Sequence, residues 1–424
     1  MKKSQIMKET LIALAVGAAF AAPAAYADVT LSGSINVGPA IIKSGDGSSN
    51  QTNSIASTGA TAQQGLTRTG INNNYSNITI GSMEDLGGGL KLDFAFQLVA
   101  PIGSNPQNPG ASGTNAETIN RNSHIGLVGD SWGGVWVGTN EHVYERYLYT
   151  ADPLDGAAGL GGNLQIMGSP GYGNVFDSFQ NNNPRAAGYA GSADFYRRTD
   201  QSIWYDSPNW GGFTFGAYTS LSNSKTNSTG TTPGTNPGVW GIGAKYVGPT
   251  IPIQLWAAYE HHKDQFGLDA IRGFSTATTS KDEGIQLGGG YTLGDIFIFA
   301  IFEELKYKED GLAGPEVSQY KRNAFDIGLK WNVATGYFGA QFILAQNGKC
   351  DMADGSSCNA DKTGAKMLSL GYYHTLSKQT QAYVMASYTK NDDLQYYGVA
   401  GGTGVPTNLG AHVEGVTVGL KHSF

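Results

Sequence analysis

Apolar and polar residues alternate with a period of two along most of the chain, which is the pattern of a β-strand whose two faces meet different surroundings. At the end of the chain, Val416, Val418 and Leu420 alternate with Thr417 and Gly419. The same alternation recurs in segments that begin near residues 29, 90, 240, 253, 325, 338 and 382. No helical period of comparable length competes with it, so the pattern predicts an all-β fold.

The connections between these segments alternate in length. Short turns are predicted at 84–89, 129–134, 207–212, 248–252, 292–295, 332–336 and 374–380. Between them lie longer polar segments rich in Gly, Asn, Ser and Thr, at 39–74, 100–120, 140–197, 221–237, 261–282, 306–320, 346–364 and 390–411. These seven turns and eight loops join sixteen antiparallel strands, and an even number leaves both chain ends on the short-turn rim.

A sheet with one apolar and one charged face fits a closed transmembrane barrel. In hydrocarbon every backbone N–H and C=O must be paired, so a spanning sheet can have no edge. The polar face, which carries Lys91 and Asp93 among other charges, then lines a lumen, and these two residues are candidates for the pore wall. A barrel of sixteen strands leaves an aqueous channel. A soluble β-sandwich or lectin is the alternative, but the strict alternation of short and long connections argues against it.

The first residues have the pattern of a secretory signal peptide. Lysines precede an apolar run over Leu11–Phe20, and a small-x-small box ends at Ala27. That run is shorter than the about 20 residues of a spanning helix. We therefore predict a cleaved signal over 1–27 and one barrel domain over 28–424, placed in the outer membrane with short periplasmic turns and long extracellular loops. A retained N-terminal anchor is the alternative.

Composition excludes several function classes. Without the signal the chain has 24 basic and 33 acidic side chains, a net charge of −9, since residues 1–27 contain three of the 27 Lys and Arg and one of the 34 Asp and Glu. Phosphate contacts need clustered Lys and Arg, so nucleic acid is not an expected partner. No motif indicates a cofactor, and the seven His are scattered without a nucleophile around them, so no catalytic residues and no enzyme activity are predicted.

Two cysteines occur in the seventh long loop. Cys350 and Cys358 are separated by seven residues, which allows a disulfide in the oxidising compartment that the signal implies. Without nearby His they would make a weak metal site, so no metal is predicted.

Several segments resemble, in order, the general bacterial porins of the beta-proteobacterial type, which are trimeric channels of sixteen strands. The motifs that carry the resemblance include the Glu-Asp-Leu-Gly-Gly-Gly turn and the His-x-Phe end, within Asp28–Gly33, Met83–Leu90, Tyr205–Phe213, Gly371–Thr380 and Val418–Phe424. The resemblance implies an outer-membrane channel for passive diffusion of ions and small hydrophilic solutes, a homotrimer, and contact with membrane lipid and lipopolysaccharide. It also implies that Phe424 is the signal for outer-membrane assembly. A substrate-specific outer-membrane channel is the rival function.

The resemblance further implies that the third long loop, 140–197, folds into the barrel and narrows it. There Arg198 of the wall would face some of Glu141, Glu145, Asp152 and Asp155. The acidic balance of this loop favours a mild cation preference, because facing rows of charge select ions by sign.

The resemblance also indicates which wall positions differ from those of relatives. Asn77 stands where relatives often have an Arg that faces the pore, and Asn122 follows Arg121 where some relatives carry an Arg pair. Counting positions from Ile125 and Leu127 predicts that Arg121 points outward near the rim. The basic cluster of the wall is therefore thinned.

Overall fold

Sixteen antiparallel crossings close into a barrel in the computed structural model, which confirms the predicted fold class. The structure describes residues 28–424 apart from 75, 101, 103–119, 155–159, 172–192, 222–224, 226, 228–233, 273–274 and 399–407. The predicted signal therefore lies outside the described residues.

The strands follow one another around the barrel in chain order, and the last pairs with the first. Their bounds are β1 Thr30–Ser44, β2 Leu66–Asn73, β3 Asn77–Gly87, β4 Leu90–Val99, β5 Asn120–Gly129, β6 Gly133–Glu141, β7 Arg198–Asp206, β8 Phe213–Ser220, β9 Gly238–Val247, β10 Ile253–Lys263, β11 Thr279–Leu293, β12 Ile296–Asp310, β13 Val317–Val333, β14 Gly336–Ala345, β15 Lys349–Met352, β16 Ala365–Thr375, β17 Thr380–Asn391 and β18 His412–Ser423.

Eighteen strand segments make sixteen crossings for two reasons. The segments β2 and β3 both pair with β1, one beside its second half and one beside its first, so they form a single interrupted crossing. The short β15 pairs only with the beginning of β13, where it extends the sheet above β14.

In the described part of the chain, helical structure is limited to α1 Val143–Leu148, α2 Gly267–Arg272 and two short 3₁₀ turns, Tyr149–Ala151 and Asn163–Gln165. Among the described residues, no helix is long and apolar enough to cross a membrane.

The two faces of each crossing lie as the alternation predicts. Val416, Val418 and Leu420 are each at least half exposed on the outside of β18, whereas Thr417 between them is buried. On β10, Leu255 is exposed outward and Trp256 is buried inward. An outer surface built from exposed aliphatic side chains is stable only against lipid, since soluble proteins rarely expose large contiguous apolar areas.

All seven predicted turns are present, at 87–90, 129–133, 206–213, 247–253, 293–296, 333–336 and 375–380. Three loops are shorter than predicted: 45–65, 264–278 and 311–316 replace 39–74, 261–282 and 306–320. The strands continue beyond the hydrocarbon, where their outward side chains are polar, as at Lys281 of β11 and Lys306 of β12. Backbone pairing persists there although the outward face no longer carries the apolar residues by which the strands were predicted.

Cys350 and Cys358 form a disulfide in the loop between β14 and β16, with their Cα atoms 5.5 Å apart. The next residue, Asn359, is bonded to the first loop, because the backbone N–H of Ser54 donates to its carbonyl oxygen at 2.9 Å. Its own N–H donates to the hydroxyl of Ser54 at 2.9 Å. The disulfide thus holds the segment on which the first loop docks.

Replacing both cysteines with serine should loosen this extracellular contact and leave the barrel intact. A crosslink over so short a loop is worth about 2–3 kcal/mol. We expect faster amide hydrogen exchange at residues 349–363 and at Ser54, with an unchanged Tm of the barrel. Ser356→Ala with Ser357→Ala is the control, and unchanged exchange in the double cysteine variant would contradict the prediction.

Candidate functional site

The described residues of the chain between β6 and β7 lie inside the barrel. This segment, residues 142–197, is called the inner loop, and it is described except at 155–159 and 172–192. Its helix α1 packs against β8, β9 and β10. Further along, Leu154 packs against Tyr373 and Tyr383 of β16 and β17, and Leu160 packs against Ile42 of β1. The inner loop therefore reaches from one wall of the lumen to the opposite wall.

Apolar side chains explain why this loop leaves the solvent. Leu148, Leu154, Leu164, Ile166 and Met167 are each at most 2% exposed, as in a protein core. Each such side chain gains about 1.5–3 kcal/mol by full burial.

The wall is shaped to receive the inner loop. A Cβ at Gly339 of β14 would overlap the carbonyl oxygen of Pro153, so only glycine lets the two backbones approach this closely.

A buried ion pair fastens the inner loop to β12 and β13. Arg322 is fully buried and donates to Glu303 at 3.0 Å. The same guanidinium donates to the carbonyl oxygens of Ile166, at 2.8 Å, and Ser169. Glu303 in turn accepts hydrogen bonds from the hydroxyl of Tyr144 at 2.9 Å and the N–H of Gly168 at 2.7 Å.

A second buried group fixes the start of the inner loop. His142 lies 3.0 Å from Glu260 of β10 through Nδ1, and 2.9 Å from the hydroxyl of Thr199 through Nε2. His262 contacts the same oxygen of Glu260 at 2.6 Å. Burial lowers the pKa of His142, and the hydroxyl of Tyr218 lies 2.9 Å from the same Nδ1.

Four of the predicted site residues meet where the inner loop begins. Arg198 and Glu141 are direct partners across β6 and β7, and their side chains form an ion pair. Arg198 also donates from Nε to the amide oxygen of Asn122 at 3.0 Å, and its Nη1 lies 3.6 Å from Glu145. The same oxygen of Asn122 accepts the backbone N–H of Glu141 at 3.1 Å. We call these four residues, together with Arg121, the arginine cluster.

Glu145 of α1 is the buried acid of this cluster, with its side chain 2% exposed. Burial raises the pKa of Glu145 to about 7, the charge of Arg198 lowers it, and the carboxylate of Glu141 raises it. The hydroxyl of Tyr149 donates to Glu145, and the charge of Arg121 also lowers its pKa. The net charge of the cluster therefore changes near neutral pH.

Arg121 does not point outward as predicted. It is 9% exposed and acts electrostatically on Glu145 inside the barrel. The cause is a register shift: Phe96 and Leu98 of β4 are two positions apart, whereas their partners Ser123 and Asn120 of β5 are three positions apart. One extra residue reverses which face the later side chains occupy. Counting positions from Ile125 assumes an uninterrupted alternation, so it cannot reveal the extra residue.

The other predicted wall residues lie apart from the arginine cluster. Asn77 accepts a hydrogen bond from Gln97 at 3.3 Å. Asp93 accepts from the indole N–H of Trp136 at 2.8 Å and lies 3.2 Å from His124.

Lys91 lies near the turn rim, 3.5 Å from Asp130. Asp152 accepts the backbone N–H of Leu154 at 2.9 Å within the inner loop. Asp155 lies outside the described residues.

Three further lysines, which the alternation also assigns to the polar face of their strands, occupy the inward face near the turn rim. Lys245 of β9 reaches the hydroxyl of Thr150 at 3.4 Å, and Lys330 of β13 lies 3.9 Å from the ring centre of Tyr337. Lys421 of β18 is the third, and the three are called the lysine arc. Their direct cross-strand neighbours are all uncharged: Thr214, Trp256, Phe297, Gly339, Gln381 and Asn36.

Sequence reasoning missed the residues that fasten the inner loop. Arg322 and Glu303 both fall on inward faces by parity, but parity does not tell which loop atoms meet them. The apolar residues of the inner loop were the available signal, since a solvated loop has no need of them. In the described part of the chain, no group of three His, Cys, Asp or Glu is arranged to hold a metal.

Comparison with known proteins gives consistent matches along the chain. A family model described as Gram-negative porin matches residues 13–394. Outer membrane porin protein 32 of Delftia acidovorans is 30% identical over 431 residues, covering 99% of this chain and 100% of that protein. An outer membrane porin protein of Bordetella pertussis is 26% identical over 416 residues, covering 91% and 95%.

Solved structures share the fold. An anion-selective porin from Comamonas acidovorans superimposes with a TM-score of 0.65 at 23% identity, covering 94% of this chain and all of that one. The trimer form of OmpT from Vibrio cholerae gives 0.52 at 11% identity, covering 94% and 99%.

Proposed function

The chain belongs to the Gram-negative porin family, and from that membership we propose how its channel selects what passes. The protein is an integral outer-membrane β-barrel, a porin that acts as a passive diffusion channel. We infer that ions and small hydrophilic solutes cross it in water, without any catalytic step. The narrow part is bounded by the inner loop and the arginine cluster.

The arginine cluster is close to electrically balanced. Arg198 and Arg121 carry two positive charges, and Glu141 and Glu145 carry at most two negative ones. The predicted mild cation preference depended on the carboxylates of this loop acting on ions. Because Glu141 and Glu145 are paired with Arg198, these two carboxylates give little support to a cation preference.

We propose instead that the channel mildly prefers anions. The observation that carries this is the inward position of the lysine arc, in which Lys245 and Lys330 have uncharged side chains as direct cross-strand neighbours. Basic groups around a pore attract anions and repel cations. A structure named as an anion-selective porin is among those that share the fold, which agrees with this sign.

A salt gradient across a planar bilayer tests the sign directly. We expect the reversal potential of the wild type to lie toward the anion equilibrium potential. Lys245→Gln with Lys330→Gln and Lys421→Gln should move it toward the cation side, because three positive charges leave the lumen. Lys43→Gln with Lys225→Gln and Lys378→Gln removes equal charge elsewhere and should not move it. A cation preference in the wild type would refute the proposal.

We further propose a homotrimer, contact with outer-membrane lipid and lipopolysaccharide, and removal of 1–27 as a signal peptide. A trimeric form is known for OmpT, which shares the fold. We also propose that Phe424 serves as the assembly signal. Current steps grouped in threes in the same bilayer would support the trimer.

A substrate-specific channel is the second candidate. An inward aromatic patch favours it: the rings of Trp136 and Trp204 are nearly parallel with centres 6.0 Å apart, and His124 meets both edge-on. Flux that saturates with one solute would favour this function, whereas flux that depends only on solute size would favour the general channel.

A further inference from the structure

Six lysines stand side by side on the outer surface of the barrel. They lie on the outward faces of β10 to β13 and on β15, and we call them the lysine band. The strand register places them directly opposite one another in four pairs: Lys263 with Lys281, Lys281 with Lys308, Lys306 with Lys321, and Lys321 with Lys349.

Like charges directly opposite across two strands destabilise a sheet. Elsewhere on the outward face, Lys43 of β1 lies opposite Glu414 of β18 and bonds to it at 3.1 Å, and Lys366 of β16 lies opposite Lys390 of β17 in one separate pair. In the lysine band, direct opposition of lysines is repeated along adjacent strands. A repeated unfavourable arrangement on an exposed surface indicates an anionic partner that is not part of the chain.

Neighbouring carboxylates neutralise the band only in part, although Glu283 of β11 lies directly opposite Lys306 of β12. Three lysines of the band form ion pairs. Lys281 pairs with Glu283 of the same strand at 2.8 Å, and Lys308 pairs with Asp310 of the same strand at 3.0 Å. Lys321 of β13 pairs with Glu304 of the neighbouring β12 at 2.5 Å. Asp351 of β15 is a fourth carboxylate and accepts from Gln319 at 2.6 Å. Six lysines against four carboxylates leave a net charge of +2.

The height of the band matches a lipid headgroup layer. On β12, Phe302 faces outward beside Phe325, and Lys306 follows four residues later on the same face. At about 3.3 Å per residue, that is about 13 Å beyond the aromatic pair. The lysines lie toward the long loops, so this layer is the extracellular one, whereas the hydrocarbon begins below the aromatic side chains.

We propose that the lysine band binds the phosphate groups of a phosphorylated glycolipid, lipopolysaccharide, in the outer leaflet. This rests on the outer-membrane placement and locates the lipid partner on one face of the barrel. Lysine side chains are flexible point charges that can reach phosphates at several positions, and their stems can lie along the acyl chains. The glycolipid phosphates relieve the repulsion between opposed lysines, so binding and sheet stability are coupled.

Affinity for purified lipopolysaccharide tests the proposal. The variant removes the charges of Lys263, Lys306 and Lys349 by substitution with glutamine, which leaves the three ion pairs of the band intact. At about a fivefold effect for each lysine near an anionic surface, its affinity should fall by roughly 100-fold. The control, Lys43→Gln with Lys225→Gln and Lys378→Gln, removes the same charge away from the band and should change affinity less than twofold.

Chemical removal of the phosphates tests the recognised group. Dephosphorylated lipopolysaccharide should bind the wild type as weakly as native lipopolysaccharide binds the variant. Equal binding of the two glycolipids, or an equal loss in the control, would overturn the proposal. Bilayer conductance of all three proteins separates the outcomes, since the channel function predicts unchanged current whether or not the glycolipid binds.

Discussion

Replacing Arg322 with methionine should destabilise the protein by about 3–5 kcal/mol, because it leaves the carboxylate of Glu303 buried without its counter-charge. The same substitution removes both donors to the carbonyl oxygens of Ile166 and Ser169. We therefore expect the inner loop to come away from β12 and β13 while the barrel stays closed. The measurements are the free energy of unfolding in detergent and the noise of the open single channel, which should rise.

The double variant Arg322→Met with Glu303→Leu separates the charge from the contacts. Replacing a buried ion pair by apolar residues of similar volume is often neutral, so most of the lost stability should return. The noise should persist, since Tyr144 and Gly168 have lost their acceptor on the wall. Lys321→Met on the outward face is the control, because its exposed ion pair is worth about 0–1 kcal/mol. A loss below about 1 kcal/mol in Arg322→Met would contradict the anchor, given what an unpaired buried charge costs.

The barrel could be predicted from sequence because each strand is marked by an alternation between residues that are neighbours in the chain. Lipid on one side and water on the other force a period of two, and strand segments such as that ending in Val416, Val418 and Leu420 record it directly. The turns followed from Gly-rich and Asn-rich interruptions of the same pattern. The predicted strand ends were wrong, because β12 continues through Glu304 and Lys306 with polar side chains outward and the apolar Leu305 inward, which reverses the alternation of the membrane-facing part.

The contacts of the site could be predicted only between residues that lie directly opposite each other on adjacent strands. Arg198 and Glu141 lie opposite each other because β6 and β7 flank the inner loop, and both were singled out from the sequence. Arg121 failed because one extra residue in β5 reversed its face. The contact of Arg322 with Ile166 joins residues 156 positions apart through a folded loop. No periodicity encodes such a contact.

Glu145 should make ion selectivity depend on pH between 6 and 8. Its pKa is raised to about 7, chiefly by burial. Below that pH the carboxyl is neutral, so the arginine cluster gains one net positive charge and anion preference should rise. Above it the carboxylate balances the second arginine and anion preference should fall. One unit charge about 5–10 Å from a permeating ion in water is worth about 0.4–0.8 kcal/mol, or about two- to fourfold in the permeability ratio.

The variant Glu145→Gln should remove this pH step and hold the permeability ratio near the acidic value of the wild type at every pH. His142 and His124 remain in both proteins, so the difference between the two pH profiles belongs to Glu145. Glu304→Gln on the outer face is the matched control and should keep the step, because that carboxylate pairs with Lys321 outside the lumen. An identical pH step in Glu145→Gln would mean that another group titrates the pore. The arginine cluster would then hold the start of the inner loop against the wall and would have no influence on the permeating ion.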